Sequence, residues 1–147
     1  MHSVRIIEIP PCKMVSSGTG FFGEESFTKF NDWFSALKPG IYPKDFLYNN
    51  GEGFCWLYLY EDGLTVPEDF EIVDFEGGLY AVATDIDGRT DIAKMNAEVD
   101  AFLKVNGLIE DESRYKLGNI TTSPKAQAIL GYCQMDYYTP VKAAPSA

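Results

Sequence analysis

Alternating apolar and polar positions predict a series of short β-strands. Val and Ile dominate residues 4–9, which end at two prolines, and residues 79–84 form a clear aliphatic strand. Further strands are predicted at residues 12–17, 70–75, 115–121 and 132–141. Glycines mark residues 18–20 as a turn, and residues 42–51 are interpreted as a loop.

Three other segments have the apolar spacing of helices. The first has Ser26 as its N-cap, an aromatic stripe that starts at Phe27, and an end at Pro39. The second is capped by Asp91 and ends at residues 106–107, where Asn precedes Gly. The third is short and runs from Ser123 and a following proline to a glycine at position 131.

Residues 54–60 form the most informative predicted strand. Cys55, Leu57 and Leu59 share one face, which suits a hydrophobic core. The opposite face is aromatic and consists of Phe54, Trp56, Tyr58 and Tyr60. Two interpretations of this aromatic face remain open. It is either a second core layer or a wall on which a flat or cationic ligand stacks.

The predicted elements repeat in order, because a strand, a helix and further strands occur twice along the chain. This period predicts an α+β fold with two half-repeats, at about residues 4–66 and 67–142, inside one domain of residues 1–142. Residues 143–147 are interpreted as a flexible tail. A ligand site is expected in the cleft between two such halves.

Charge narrows the classes of partner. The 147 residues include 22 acidic and 12 basic side chains, which gives a net charge of −10. This surplus argues against direct contact with nucleic acid and against a polybasic membrane anchor, because both require clustered Lys and Arg. The hydrophobic share of 46% argues against disorder, and the aromatic share of 14% is high for a soluble chain.

Cysteine and histidine usage argues against a metal centre. Cys12, Cys55 and Cys133 are far apart, and His2 is the only histidine. There is no signal-peptide pattern at residues 1–6 and no apolar run long enough to span a bilayer, so we expect a cytoplasmic protein with reduced thiols. We predict no cofactor and no metal, and we assign no catalytic residues.

Two motifs carry a resemblance to a known family. Residues 75–82 read Phe-Glu-Gly-Gly-Leu-Tyr-Ala-Val, and residues 136–141 read Asp-Tyr-Tyr-Thr-Pro-Val. Both are similar to strands of the GyrI-like small-molecule-binding family, which includes the effector-binding domains of AraC- and MerR-type transcription regulators. The resemblance spans residues 4–142. It implies a pseudo-symmetric pair of β-α-β-β units with a ligand cleft between the halves.

The resemblance also implies that aromatics line the cleft and that an acidic residue pairs with a cationic ligand. The family's usual Glu-x-Tyr is displaced here, because Glu112 stands one residue too early relative to Tyr115. Asp136 is therefore the preferred acid, unless it is an exposed edge carboxylate or is paired with Lys142 or Arg114. The candidate ligand-binding residues are Phe54, Trp56, Tyr58, Glu112, Tyr115, Asp136 and Tyr138.

Three functions are compatible with these features. The preferred one is a multidrug-type effector-binding module, without a DNA-binding domain of its own, that senses or sequesters a small aromatic or cationic molecule. Some stand-alone relatives hydrolyse electrophilic small molecules, so hydrolysis by a carboxylate and a Tyr is an alternative. A third is an acidic protein-interaction module, as the family's gyrase-inhibiting member implies. A protein partner or a homodimer is compatible with each function.

Overall fold

The structure is a computed structural model that describes residues 1–38, 40 and 43–146. The predicted helix end at Pro39, the loop residue Tyr42 and the tail residue Ala147 lie outside the described residues. In chain order the elements are β1 (Val4–Ile9), β2 (Cys12–Gly20), α1 (Glu25–Ser35), β3 (Asp45–Asn49), β4 (Phe54–Leu59), β5 (Glu71–Phe75), β6 (Gly78–Ile86), α2 (Ile92–Val105), β7 (Leu108–Glu110), β8 (Leu117–Ile120), α3 (Pro124–Leu130) and β9 (Gln134–Ala143).

These elements belong to two compact units. Unit 1 contains residues Met1–Ile9 and Gly78–Ala147, and unit 2 contains residues Pro10–Gly77. In unit 2 the strands pair in the order β3-β4-β2-β5. In unit 1 they pair in the order β1-β6-β9-β8, and β7 also pairs with β9. All of these pairs are antiparallel. The half-repeat boundaries near residue 66 stay a prediction.

Both units contain a β-α-β-β order along the chain. It is β2, α1, β3 and β4 in unit 2, and β6, α2, β8 and β9 in unit 1, with β7 and α3 as additions. A fourth strand pairs with the first strand of each set, namely β5 with β2 and β1 with β6. The predicted α+β class with two β-α-β-β units is thus confirmed.

Local sequence signals explain where the helices of unit 1 begin. The Asp91 carboxylate accepts a hydrogen bond from the Lys94 N–H at 3.1 Å, and the Ser123 hydroxyl accepts one from the Ala126 N–H at the same distance. Both side chains satisfy a backbone donor that the first helical turn leaves free. No helix among the described residues combines the length and apolar character of a membrane span.

Four sequence predictions were wrong in detail. Residues 18–20 continue β2, with a bulge between Ser16 and Thr19, instead of forming a turn. α1 begins at Glu25 after an extended Glu24, so Ser26 is not its N-cap. β3 lies inside the predicted loop, and β7 forms a strand where none was predicted. Both missed strands depend on distant pairing partners, β4 and β9.

Each unit carries one helix on one face of its strands. In unit 2, α1 buries Phe30 against Val15 and Phe70, together with the aromatic face of β4. In unit 1, α2 buries Met95, Val99 and Leu103 against the small residues of β6 and the end of β9. Each unit therefore has one strand face under its helix and one strand face turned away from it.

Candidate functional site

The aromatic face of β4 lies beneath α1. The Phe34 ring stacks on the Tyr58 ring with centroids 5.4 Å apart and meets the Trp56 ring edge-on at 5.1 Å. Phe27 and Phe30 also contact Trp56, each at 5.8 Å. Edge-on and offset ring pairs of this kind are the packing that aromatic cores prefer. The packing favours the core-layer interpretation of this face, and ligand contact by Phe54, Trp56 and Tyr58 stays a prediction.

This layer contains a carboxylate that the sequence analysis missed. The Trp56 indole N–H donates a hydrogen bond to the Asp45 Oδ2 atom at 3.0 Å. Burial raises the pKa of the Asp45 carboxyl above its usual range, and the Trp56 hydrogen bond partly opposes that shift. Asp45 was overlooked because residues 42–51 were interpreted as a loop. The short apolar run at residues 46–48, between Asp45 and Asn49, was the available signal.

In unit 1, the face of β9 turned away from α2 combines aromatic and polar side chains. Strand register places Thr84 opposite Asp136, and Val82 opposite Tyr138. Asp136 is 6% exposed and Tyr138 is 7% exposed, although neither belongs to the cluster around α2. The structure therefore brings two of the predicted site residues together on one strand face.

Asp136 accepts hydrogen bonds at both carboxylate oxygens. The Arg5 guanidinium lies 3.1 Å from Oδ2, and the Thr84 hydroxyl donates to Oδ1. The salt bridges considered from sequence, to Lys142 or Arg114, are replaced by this one to Arg5. Asp136 is also buried instead of lying on an exposed edge. The Arg5 side chain is 57% exposed, so the carboxylate is fixed while its cation is held only at the tip.

Tyr138 is oriented by two neighbours. Its hydroxyl donates a hydrogen bond to the Asn119 Oδ1 atom at 3.1 Å, and its ring meets the Tyr80 ring edge-on at 6.2 Å. Asn119 is 5% exposed and lies opposite Asp136 across the β8–β9 pair. Sequence reasoning missed Asn119, because nothing in a predicted strand at 115–121 distinguishes which of its faces is covered.

Arg114 closes one end of this face. Its guanidinium lies over the Tyr80 ring at 4.8 Å and donates to the backbone carbonyls of Leu79 and Val141. A Cβ at Gly78 would lie 2.6 Å from this guanidinium, so the close approach requires glycine there. Hydrogen bonds from Ser113 and Arg114 hold the pKa of Asp111 at about 2. Arg114 thus ties the loop before β8 to the sheet.

The remaining two candidates lie outside this face. Glu112 is exposed in the turn after β7, and Tyr115 is 54% exposed just before β8 begins. A ligand role for either stays a prediction. Within residues 1–38, 40 and 43–146, no three His, Cys, Asp or Glu side chains are grouped as metal ligands.

Solved structures with the same fold share little sequence with this chain. The C-terminal domain of EcmrR aligns with a TM-score of 0.64 and 11% identity, over 98% of this chain and 99% of that one. A hydrolase from Listeria innocua aligns with a TM-score of 0.68 and 14% identity, over 95% and 91%. SAV2435 bound to tetraphenylphosphonium aligns at 0.51 and 9%, over 95% and 94%.

These likenesses establish the fold alone. EcmrR also aligns within a cryo-EM structure of an EcmrR–DNA complex, where the match covers 97% of this chain and 58% of that one. No protein-family model and no curated protein matches the sequence. The chain therefore has a fold similar to that of the EcmrR C-terminal domain and SAV2435, at sequence identities too low to transfer individual residues.

Proposed function

We propose that this chain is an effector-binding module that binds a small organic cation on the face of unit 1 formed by Tyr80, Asp136 and Tyr138. One observation carries the proposal. Asp136 is a buried carboxylate two positions before Tyr138 on the same strand face, and its cationic partner Arg5 is more than half exposed. Sensing or sequestration of such a molecule accords with a structural neighbour whose complex contains tetraphenylphosphonium.

The electrostatics favour a cationic ligand. A buried carboxylate is stable only when it is paired or hydrogen-bonded. Thr84 provides a neutral hydrogen bond that would remain after ligand binding. Arg5 provides the positive charge, and an incoming cation can replace it because the long Arg5 side chain can withdraw into water. The site would then exchange one cation for another without leaving Asp136 unpaired.

The aromatic side chains add selectivity. Tyr80 and Tyr138 meet edge-on and are buried, at 1% and 7% exposure, and the Arg114 guanidinium already lies over the Tyr80 ring. Ligand contact with either ring would therefore require neighbouring side chains to move aside. An organic cation over the face of such a ring gains about 0.5–2 kcal/mol, with the larger values in desolvated sites. The Tyr138 hydroxyl and the Asn119 amide form a polar edge that discriminates among ligands by hydrogen bonding.

Calorimetric titration with tetraphenylphosphonium chloride tests the proposal. We expect micromolar binding by the full chain, about tenfold weaker binding by Asp136→Asn, and a few-fold tighter binding by Arg5→Ala, because the internal competitor is removed. Asp74→Asn is the matched control, since Asp74 is 88% exposed and also pairs with a cation, Lys13. Its affinity should stay within about twofold of the parent.

Two outcomes would count against the proposal. One is binding no tighter than millimolar by the unmodified chain. The other is an equal loss of affinity in Asp136→Asn and Asp74→Asn, which would indicate general attraction to an acidic protein. Thermal melts of all variants exclude loss of folding as the cause. Hydrolysis by a carboxylate and a Tyr remains an alternative, and release of product from an epoxide or ester probe would be its readout.

A further inference from the structure

The loop between β2 and α1 presents two aromatic side chains to solvent. Phe21 is 51% exposed and Phe22 is 57% exposed. The apolar stripe of α1 is already filled by Phe27 and Phe30, which are 2% and 0% exposed. About half of each phenylalanine therefore stays at the surface after unit 2 has folded, and exposed apolar groups that lie together often mark an interaction site.

The two rings are held in place by packing. Phe22 contacts the Phe27, Phe54 and Trp56 rings at centroid distances of 5.4–5.6 Å, and Phe21 meets the Phe54 ring edge-on at 6.4 Å. The Glu24 N–H donates to the Phe21 carbonyl at 3.2 Å, which closes the loop. A partner would meet a pre-ordered aromatic surface, so little conformational entropy is lost on binding.

Carboxylates surround this aromatic surface. Glu24 and Glu25 follow the two phenylalanines at the start of α1, and both are exposed. The exposed Glu52 lies in the turn before β4, and that turn packs closely on the loop: a Cβ at Gly53 would lie 3.3 Å from the Phe21 ring. Among the residues that the structure describes, none of these three carboxylates forms a salt bridge.

We propose that Phe21, Phe22, Glu24, Glu25 and Glu52 form a docking surface for a basic, amphipathic segment of a partner protein. Leu or aromatic side chains of the partner would cover the two phenylalanines. Its Arg side chains would pair with the carboxylates and stack on the rings. The charges disfavour a second copy of this chain, because a two-fold contact would bring the same carboxylates together. They equally disfavour an anionic lipid surface.

Labelled synthetic peptides test this surface by fluorescence anisotropy with the full chain. The probe is a twelve-residue helical peptide of Arg and Leu, and a Glu/Leu peptide of the same pattern is its counterpart. We expect the Arg/Leu peptide to bind, with an affinity that falls as salt rises. Phe21→Ser should weaken binding by about tenfold, and Glu24→Gln with Glu52→Gln should weaken it a few-fold and flatten the salt dependence.

Two matched controls separate this surface from general attraction to an acidic protein. Ile129→Ser removes an apolar side chain that is 79% exposed on α3. Glu8→Gln with Glu76→Gln removes two exposed carboxylates elsewhere. Both should leave the affinity within about twofold of the parent. A thermal melt of each variant checks that it is folded. If Phe21→Ser does not fold, the double variant Glu24→Gln with Glu52→Gln still tests the proposal.

Three results would overturn the proposal. The first is equal binding by Phe21→Ser and Ile129→Ser, or binding of the Glu/Leu peptide as tight as that of the Arg/Leu peptide. The second is a dimer in sedimentation velocity that Phe21→Ser abolishes, which would assign the surface to a second copy. The third is co-sedimentation with phosphatidylglycerol vesicles that depends on Phe21, which would assign it to a membrane.

Discussion

Two strand faces of this protein combine an aspartate with aromatic residues, yet their surroundings differ. In unit 2, Asp45 touches the Trp56 indole in a layer that α1 covers. In unit 1, Asp136 lies on the face turned away from α2 and is paired with the exposed Arg5. The Asp45 carboxylate has no salt bridge among the described residues, whereas the Asp136 carboxylate has an exchangeable one.

This difference teaches that aromatic content does not by itself identify a binding face. The rings under α1 gain stabilisation by packing against one another, and Trp56 and Tyr58 keep part of their surface exposed. The Tyr80 and Tyr138 rings in unit 1 are more buried, at 1% and 7% exposure, so the two faces differ in the carboxylate and its cation and not in free ring area. A carboxylate with a displaceable cation likewise suits a cationic ligand better than one that burial drives toward its neutral form.

The largest expected effect separates packing from binding. Trp56→Ala should lower the free energy of unfolding by about 3 kcal/mol, because it removes the ring that four phenylalanines of the aromatic layer contact. The affinity of the folded variant for tetraphenylphosphonium should stay within about twofold of the parent. Urea denaturation and calorimetry measure the two quantities. A tenfold loss of affinity would restore the interpretation of β4 as a stacking wall.

Replacing each aspartate by its amide should have opposite effects on stability. Asp136→Asn removes the charge that pairs with Arg5 and one of the two acceptor oxygens, and it should cost about 1–2 kcal/mol, since the exposed Arg5 is partly rehydrated. Asp45→Asn keeps an oxygen for the Trp56 N–H and removes a charge that burial penalises, so stability should stay level or rise by up to about 1 kcal/mol. If urea denaturation gives equal losses of unfolding free energy for Asp136→Asn and Asp45→Asn, this prediction is wrong.

The pH dependence of stability should report on Asp45. Its folded-state pKa is raised by burial, so the native state binds its proton more tightly than the unfolded chain does. The stabilisation is fully present below pH 3.8, the ordinary pKa of an Asp carboxyl, and is lost as pH rises through the raised pKa. Stability measured from about pH 3 to 7 should therefore decline less in Asp45→Asn than in the parent. If the stability of the parent and of Asp45→Asn falls in parallel as pH rises, Asp45 is not the source of the pH dependence.

The smallest expected effect concerns the strand that carries Arg5. His2, just before β1, contacts Asp85 with one ring nitrogen and Glu98 with the other, and hydrogen bonding to Asp85 is the main cause of its raised pKa. This contribution is present below pH 6.5 and is lost as pH rises through the raised pKa. Hydrogen exchange at the β1 amides should therefore accelerate above that pKa. In the His2→Gln variant, the exchange rate of the β1 amides should show no such acceleration.

Particular elements show how far sequence patterns reach. The strand predicted at residues 4–9 has the same boundaries as β1. The helix predicted after the Asp91 cap begins where α2 begins. Their signals are local, because β-branched runs and capping side chains act within a few residues. β3 was missed because its five residues become a strand through pairing with β4. The bulge in β2 was missed for the same reason.

Sequence patterns likewise selected some residues of the candidate site and missed others. Sequence selected Asp136 and Tyr138, and the structure shows them on one face, because side chains two apart on a strand point the same way. It also separated the aromatic face of residues 54–60 from the aliphatic one. It did not reveal Asn119 as the partner of Tyr138 or Arg5 as the partner of Asp136, since these contacts span 19 and 131 positions.

The sequence by itself determined the α+β class, the repeated order of elements and the two faces of each strand, because periodicity and capping are written in neighbouring residues. Only the tertiary structure decided which face each helix covers. That choice packs Trp56 against α1 and leaves Asp136 turned away from α2. The physical reason is that burial and charge pairing depend on residues far apart in the chain, and a one-dimensional pattern does not contain those distances.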